Sequence, residues 1–154
     1  MKKLLFTCLA ITVIFTTCKK EEETPPNNTP PNNTPTTYAF SCKIDGADFT
    51  DNNPVATIAQ NVLTIDAENG TNSIRLIIYN FSNRTEGEEI TLNNLTDKAY
   101  VTLGTASYTN TTGGKLIFSE IGNSISGTFN AQCNNLQTFQ SVTVTEGEFV
   151  EVAY

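Results

Sequence analysis

The chain has 154 residues, with 16 Asp and Glu against nine Lys and Arg, and it contains no histidine and no tryptophan. Without histidine, serine and cysteine nucleophiles lack their usual general base, and a zinc site lacks its commonest ligand. A formal net charge of −7 disfavours nucleic acid, because the phosphate backbone is bound through clusters of Lys and Arg. We therefore expect no metal, no cofactor and no nucleic-acid partner.

The first 17 residues are typical of an export signal. A short basic head, Met1 to Lys3, precedes a mostly apolar segment, LLFTCLAITVIF, at positions 4–15. A membrane-spanning helix needs about 20 apolar residues, whereas the hydrophobic region of a secretory signal needs only about 7 to 15. The length therefore predicts a cleaved signal at residues 1–17, with the small residues Thr16 and Thr17 before the cut.

Cys18 follows directly after those threonines. Its position resembles the lipobox of bacterial lipoproteins, in which the cysteine becomes the first mature residue and receives acyl chains such as palmitate. The match is relaxed, because residues 15–17 read Phe-Thr-Thr instead of a Leu-Ala-Gly type of run, and Cys8 has too short an apolar run before it to compete. Two acyl chains suffice for a stable membrane anchor. The alternative is a chance thiol beside a signal that is cut elsewhere.

A charged and proline-rich stretch separates Cys18 from the rest of the chain. The run KKEEE at 19–23 resembles the lysine-plus-acidic cluster of surface-exported lipoproteins of the Bacteroidetes type. This resemblance implies an outer-membrane lipoprotein displayed on the cell surface, the alternative being the periplasmic face of that membrane. Residues 24–37, TPPNNTPPNNTPTT, have no large apolar side chain, so the segment 18–37 is expected to be a disordered tether. At about 3.1 Å per residue, such a tether reaches roughly 50 to 60 Å.

Residues 38–154 are long enough for one domain with a core, and their hydrophobic period is two. In YAFSCKI at 38–44 and SIRLIIY at 73–79, alternate side chains share one face. Hairpin turns are expected at four dipeptides: Asp45-Gly46, Asn69-Gly70, Gly122-Asn123 and Glu146-Gly147. Further strand-like runs are VLTIDA, EITL, AYVTLG, KLIFSEI, SISGTFNAQ, SVTVT and EFVEV. The pattern predicts an all-β domain of about nine to ten short antiparallel strands, either a β-sandwich or a closed barrel.

Two cysteines remain in this domain, Cys42 and Cys133. Cys42 shares the apolar face of its run with Phe40 and Ile44. Cys133 lies an even number of positions after Phe129 and therefore shares a strand face with it. In an oxidising compartment a disulfide between the first strand and a late strand is therefore a hypothesis. The alternative is a pair of separate buried thiols.

Three stretches of the domain resemble a Bacteroidetes lipoprotein domain family of unknown function. They are CKIDGADF near the start, YTNTTGGKLIFSEIGNSISGTFNAQ in the later half and VTVTEGEF near the end. The shared features are an Ile-Asp-Gly hairpin, an Ile-Ser-Gly-Thr-Phe strand and a closing Glu-Gly-Glu-Phe hairpin. The resemblance implies an all-β domain tethered to the outer membrane, and no catalytic residue follows from it.

The expected function is non-enzymatic binding or a structural accessory role, with an extracellular glycan or protein as partner. The longest polar connection, NFSNRTEGEEI at 80–90, is the expected contact loop, because recognition is commonly placed on loops of a β scaffold. Its candidate residues are Asn80, Ser82, Asn83, Arg84 and Glu86. Tyr79, Tyr100 and Tyr108 are candidate sugar-stacking rings, with core packing as the alternative for at least two of them.

Two other functions stay open at this point. A closed barrel with a large apolar cavity would favour a lipocalin-like carrier. A cleft with paired carboxylates would favour a glycan hydrolase, in which two carboxyl groups flank the scissile bond. The carboxylates available for that chemistry are Asp48, Asp51, Asp66, Glu68, Glu86, Glu88, Glu89 and Glu120.

Overall fold

The computed structural model describes residues 38–154, which contain eleven β-strands and one short 3-10 helix at Phe81–Asn83. The strands are β1 (Phe40–Ile44), β2 (Ala47–Asp51), β3 (Val55–Ala59), β4 (Val62–Asn69), β5 (Asn72–Tyr79), β6 (Glu89–Thr91), β7 (Lys98–Leu103), β8 (Ala106–Tyr108), β9 (Asn110–Ile121), β10 (Ser124–Asn134) and β11 (Ser141–Ala153). The predicted signal at 1–17, the lipidation site Cys18 and the tether at 18–37 lie outside the described residues. Among the described residues, no helix has the length and apolar character needed to cross a membrane.

The strands form two antiparallel sheets that pack against each other around one core. The six-stranded sheet has the order β2-β1-β11-β10-β9-β6, and the five-stranded sheet has the order β3-β4-β5-β7-β8. The all-β prediction is confirmed, and the architecture is a β-sandwich and not a closed barrel. Three of the eleven strands, β2, β3 and β8, fall outside the runs that the sequence pattern marked, and each of them is an edge strand.

Three of the four expected turns connect neighbouring strands. At the β1–β2 turn, Asp45 and Gly46 both have positive φ, 48° and 85°, as a tight hairpin turn requires. The fourth, Glu146-Gly147, was wrongly predicted as a hairpin, because it lies inside the continuous strand β11. There Thr145 and Glu146 together oppose the single residue Asn130, and Glu146 has a φ of 52°. This is a β-bulge, and bulges use the same positive-φ residues as tight turns.

Two reciprocal glycine–phenylalanine pairs join β10 and β11 in the core. Gly127 lies opposite Phe149, and Phe129 lies opposite Gly147. A Cβ on Gly147 would lie 2.5 Å from Cε1 of Phe129, and a Cβ on Gly127 would lie 2.6 Å from Cζ of Phe149. Each ring therefore occupies the space that a side chain on the opposite strand would need.

These two rings belong to a continuous row of aromatic contacts through the sandwich. Phe129 and Phe149 have ring centroids 6.4 Å apart. On one side Phe40 packs 5.2 Å from Phe129, and on the other Phe118 packs 5.9 Å from Phe149 in a T-shaped arrangement. The first two contacts are tilted, and the third is edge-to-face, a geometry that adds about 0.5 to 1.5 kcal/mol beyond the burial of apolar area.

A buried hydroxyl links the two sheets where the chain crosses from β8 to β9. Thr111 on β9 donates from Oγ1 to the carbonyl of Ala99 on β7, at 2.6 Å, and accepts from the N–H of Ala99 at 3.0 Å. The sulfur of Cys133 on β10 lies 3.1 Å from the same carbonyl. The Thr111 side chain thus satisfies both backbone groups of Ala99, which would otherwise be buried without a partner.

The two cysteines are free and buried thiols, so the expected disulfide is wrong. Cys42 lies on β1 and Cys133 on β10, the two strands that flank β11. Cys133 is level with Val142 of β11, whereas the neighbours of Cys42 pair with Thr145 and Glu148. Two strand spacings and about four to five residues along β11 separate the thiols by roughly 15 to 20 Å, whereas a disulfide needs Cα atoms within about 7 Å.

The Gly147 contact predicts a purely steric cost for an added methyl group. Gly147→Ala should lower the free energy of unfolding by about 1 to 3 kcal/mol, the usual range for overpacking a well-packed core. Gly113→Ala is the matched control, because it lies in the same sheet with nothing within 4 Å of the position that its added methyl would take, and it should change stability far less. Urea unfolding of both variants measures the difference. Equal stability of the two would contradict the packing described for Phe129.

The buried thiols predict a characteristic reactivity. Desolvation raises the pKa of Cys42 to about 12 and that of Cys133 to about 11. Because these values lie above the ordinary 9.0, the contribution of the thiols to stability is fully present below pH 9. It is lost as the pH rises from 9 to the folded-state values, because the unfolded thiols ionise in that range and the buried thiols do not. Alkylation at pH 8 should leave both thiols unmodified in the native protein and label both after unfolding without reductant. Mass spectrometry of the two cysteine peptides measures this, and unlabelled peptides joined by a bond would contradict it.

Candidate functional site

A pocket of about 310 Å³ opens beside the end of β5, and we name it the Tyr79 pocket. Its volume is near the lower end of the range of small-ligand sites. Two connections converge on it, the β5–β6 loop that follows Tyr79 and the β6–β7 connection that leads into β7. The residues that line it are Tyr79, Asn80, Arg84, Thr91, Asn93, Leu95, Thr96 and Asp97.

A buried carboxylate holds the base of the Tyr79 pocket. Asp97 is only 4 % exposed, yet both of its oxygens are engaged. Oδ1 accepts from the backbone N–H of Tyr79 at 2.7 Å, and Oδ2 accepts from Nη2 of Arg84 at 2.7 Å. Removing either partner of a buried pair leaves an uncompensated charge, so this pair fixes the relative positions of β5, β7 and the loop between them.

Two further groups orient Arg84. Its Nη1 donates to Oε1 of Glu88 at 3.0 Å, and its Nε donates to the carbonyl of Tyr79 at 3.2 Å. The other oxygen of Glu88 accepts the N–H of Thr85 at 3.3 Å. The guanidinium is therefore held in one orientation at the pocket wall before any ligand arrives.

A tight turn presents an apolar side chain at the mouth of the pocket. The side-chain oxygen of Asn93 accepts the N–H groups of Leu95 and Thr96, at 2.7 and 2.9 Å. The N–H of Asn93 donates to the carbonyl of Asp97 at 2.7 Å, which closes the turn. Leu95 projects from this turn with 91 % of its surface exposed. Its conformation is set by the asparagine cap and not by packing of its own side chain.

Tyr79 supplies the aromatic wall, and 38 % of the surface of this residue is exposed. The ammonium of Lys98 lies 5.7 Å from the ring centroid, within the range of a cation–π contact. Of the other two tyrosines considered from the sequence, Tyr108 is buried in the core and Tyr100 is half-buried. Tyr100 lines a different concavity.

The five loop residues nominated from the sequence separate into two groups. Asn80 and Arg84 line the Tyr79 pocket, and Ser82 and Asn83 are exposed in the 3-10 helix outside it. Glu86 accepts the backbone N–H of Ile121 at 2.9 Å and thereby ties the loop to the end of β9. Four pocket residues that the sequence did not mark come from the β6–β7 connection, namely Asn93, Leu95, Thr96 and Asp97. The sequence signal there is an asparagine-rich turn before a strand.

A larger concavity of about 810 Å³ lies on the outer face of the six-stranded sheet. The bulge at Glu146 bends β11 there, and Gly113 removes a side chain from the surface of β9. Ion pairs flank this face on both sides, Lys115–Glu89 at 3.1 Å and Lys43–Glu146 at 2.7 Å. Uncharged polar side chains form most of its floor, namely Thr128, Asn130, Gln132, Thr143 and Thr145, and Ile117 and the carboxylate of Glu148 also line it. This face therefore offers hydrogen-bonding groups and no aromatic ring on its open side.

One concavity brings together two of the carboxylates considered for hydrolysis. Asp66 and Glu68 lie on the same face of β4 and line a depression of about 290 Å³ with Arg75 and Tyr100. Both oxygens of Asp66 accept from Arg75, at 2.5 Å from Nε and 3.2 Å from Nη2. The hydrogen bonds and charge of Asp66 raise the pKa of Arg75. Asp66 is thus held in a bidentate ion pair with Arg75.

Comparison with known proteins places residues 36–153 in a family. This span matches the model of a "Domain of unknown function (DUF6252)" and covers every strand of the sandwich. The match confirms the coarser part of the sequence-based resemblance, a domain family of unknown function. No curated protein and no solved structure matches the chain.

Proposed function

The chain belongs to the DUF6252 family of domains of unknown function, and on that premise we propose that it is a lipid-anchored, non-enzymatic binding module of the cell envelope. Its anchor is the acylated Cys18, its spacer is the segment 18–37, and its β-sandwich meets a partner outside the cell. The proposed location is the outer membrane of a Bacteroidetes-type envelope, with the domain on the cell surface.

The composition of the Tyr79 pocket is the main support for the binding role. It combines a half-exposed tyrosine ring and an exposed leucine with the fixed Arg84–Asp97 pair. Asn80, Asn93 and Thr96 add uncharged polar side chains around the rim. An apolar face flanked by a few convergent polar groups is typical of small-ligand sites, and it suits a sugar ring, which has both characters. The proposed partner is therefore a residue of an extracellular glycan.

The larger polar face is a weaker basis for the same role. It lacks an aromatic ring on its open side, and two of its charged side chains, Lys115 and Glu146, are already paired with Glu89 and Lys43. Hydrogen bonds alone contribute little net affinity in water, because the ligand exchanges them with solvent. The Tyr79 pocket adds apolar contact area to its polar groups, so it is the better-supported site.

The two alternative functions have less support. A lipocalin-like carrier needs an internal cavity, whereas Leu63, Ile74 and Leu76 fill the space between the sheets with no exposed surface. A carboxylate-based hydrolase needs an acid and a base that are free to exchange protons with substrate, whereas Asp66 is bound by Arg75 on both oxygens. Glycan hydrolysis that is abolished in Glu68→Gln would nevertheless establish the hydrolase.

The binding role predicts that Tyr79→Ala loses affinity for the glycan without losing the fold. The backbone N–H of Tyr79, and not its ring, contacts Asp97, so removal of the ring should leave the base of the pocket intact. On a glycan array, the variant should lose at least about tenfold in affinity, equivalent to about 1.4 kcal/mol. Tyr38→Ala is the matched control, because Tyr38 has a similar exposed fraction, 36 %, and does not line the pocket. Equal binding by wild type and Tyr79→Ala would contradict this site.

The proposed lipid anchor predicts that labelling of the protein with a fatty acid depends on Cys18 alone. Metabolic incorporation of a palmitate analogue should tag the wild-type protein and not Cys18→Ser, because only Cys18 follows the complete apolar segment. Cys8→Ser is the matched control and should keep the label. Protease treatment of intact cells then distinguishes the two locations. Cleavage before the envelope is broken supports surface display, and cleavage only after lysis supports the periplasmic face.

A further inference from the structure

The four edge strands of the sandwich are not equally protected against pairing with another chain. β6 and β8 have three residues each, and β2 carries Asp48 and Asp51. β3 has five residues, Val55–Ala59, and none of them is charged. The uncharged stretch around it runs from residue 52 to residue 65. Short length and charge are the usual devices that keep an edge from pairing, so β3 is the unprotected edge of the described domain.

The β3–β4 hairpin determines which backbone groups of β3 are free. Its two-residue turn, Gln60-Asn61, has positive φ at both positions, 51° and 63°. In such a turn the flanking pair, Ala59 and Val62, exchanges hydrogen bonds, and bonded pairs then alternate along the ladder. The N–H and C=O groups of Ala56 and Ile58 therefore point away from β4. The side chains of Val55 and Ile58 are 58 % and 42 % exposed.

We propose that β3 pairs with β3 of a second copy of this chain, in antiparallel orientation about a two-fold axis at Thr57. In this register Ala56 lies opposite Ile58 of the second copy, and the reverse pair follows by symmetry. Both pairs are of the hydrogen-bonded type, so all four free backbone groups of each strand gain a partner. The two five-stranded sheets become one continuous ten-stranded sheet.

Side-chain size and charge favour a second copy of this chain as the partner of the β3 edge. The small Ala56 faces the larger Ile58 across the two-fold axis, so the facing side chains differ in volume and fit. The domain has 13 Asp and Glu against five Lys and Arg, which would oppose self-association elsewhere on the surface. At this edge the nearest carboxylate, Asp66, faces Val55 from the next strand and is paired with Arg75. Two copies therefore meet here without bringing unpaired like charges together.

A cysteine placed at the axis tests the register directly. In the non-hydrogen-bonded pair at the axis, the two Thr57 Cα atoms would lie about 4.5 Å apart, within the range of a disulfide. Thr57→Cys should form a reducible covalent dimer on a non-reducing gel. Val55→Cys is the matched control, because its symmetry mate is four residues away, about 13 Å, and should stay monomeric. The native thiols Cys42 and Cys133 are buried, and a Cys18→Ser background removes the lipidation site.

Sedimentation equilibrium of the secreted Cys18→Ser chain tests the association without a cross-link. Its mass should rise toward the dimer with concentration, and Ile58→Lys should weaken dimerisation at least tenfold while its circular dichroism stays unchanged. A chain that stays monomeric to about 1 mM, where association is worth only about −4 kcal/mol, would overturn the proposal. Cross-linking of Val55→Cys as fast as Thr57→Cys would also overturn it, as would pairing of this edge with a foreign strand alone.

Discussion

The reciprocal contact between glycine and phenylalanine on β10 and β11 is the constraint on which the sandwich depends. Gly127 and Gly147 leave room for Phe149 and Phe129, and these rings then connect Phe40 on one side to Phe118 on the other. The bulge at Glu146 resets the alternation of β11, so that Val144 and Gly147 are both buried on the core side. The same bulge bends the outer face of the sheet into its polar concavity. One packing solution thus determines both the core and the shape of the opposite surface.

The sequence predicted the central strands well and the edges poorly, for one physical reason. Central strands bury one full face, so β1, β5 and β10 show strict alternation, whereas β3 buries only Ala56 and leaves no pattern to find. The hairpin predicted at Glu146-Gly147 is wrong because turns and bulges need the same residues, and only the pairing with the partner strand distinguishes them. The disulfide hypothesis is wrong for a related reason. Alternation shows which face of the sheet a cysteine occupies, but it does not show the position of that cysteine along the strands.

The candidate site could be anticipated only in part. Arg84 and Asn80 stand in the longest polar loop and were nominated on that ground, but their partner Asp97 lies in the next connection and is found only through the fold. Glu86 looks like a surface acid in sequence, yet it accepts the N–H of Ile121 and closes the end of β9. In a segment that crosses between two sheets, many polar side chains replace missing ladder hydrogen bonds. Polarity in such a loop therefore does not by itself identify a binding residue.

The Tyr79 pocket and the β3 edge belong to the same sheet, and this has a consequence for binding strength. Tyr79 is level with Val62, which is level with Ala59 of β3, so two strand spacings separate the pocket from the edge. Under the proposed two-fold pairing, five spacings and about four residues of stagger place the two Tyr79 side chains roughly 25 to 30 Å apart in one rigid sheet. A glycan with repeated residues that spans this distance would engage both pockets, and the second contact would then be intramolecular. Weak single sites would in this way give firm attachment to a repetitive partner and little attachment to its free monomers.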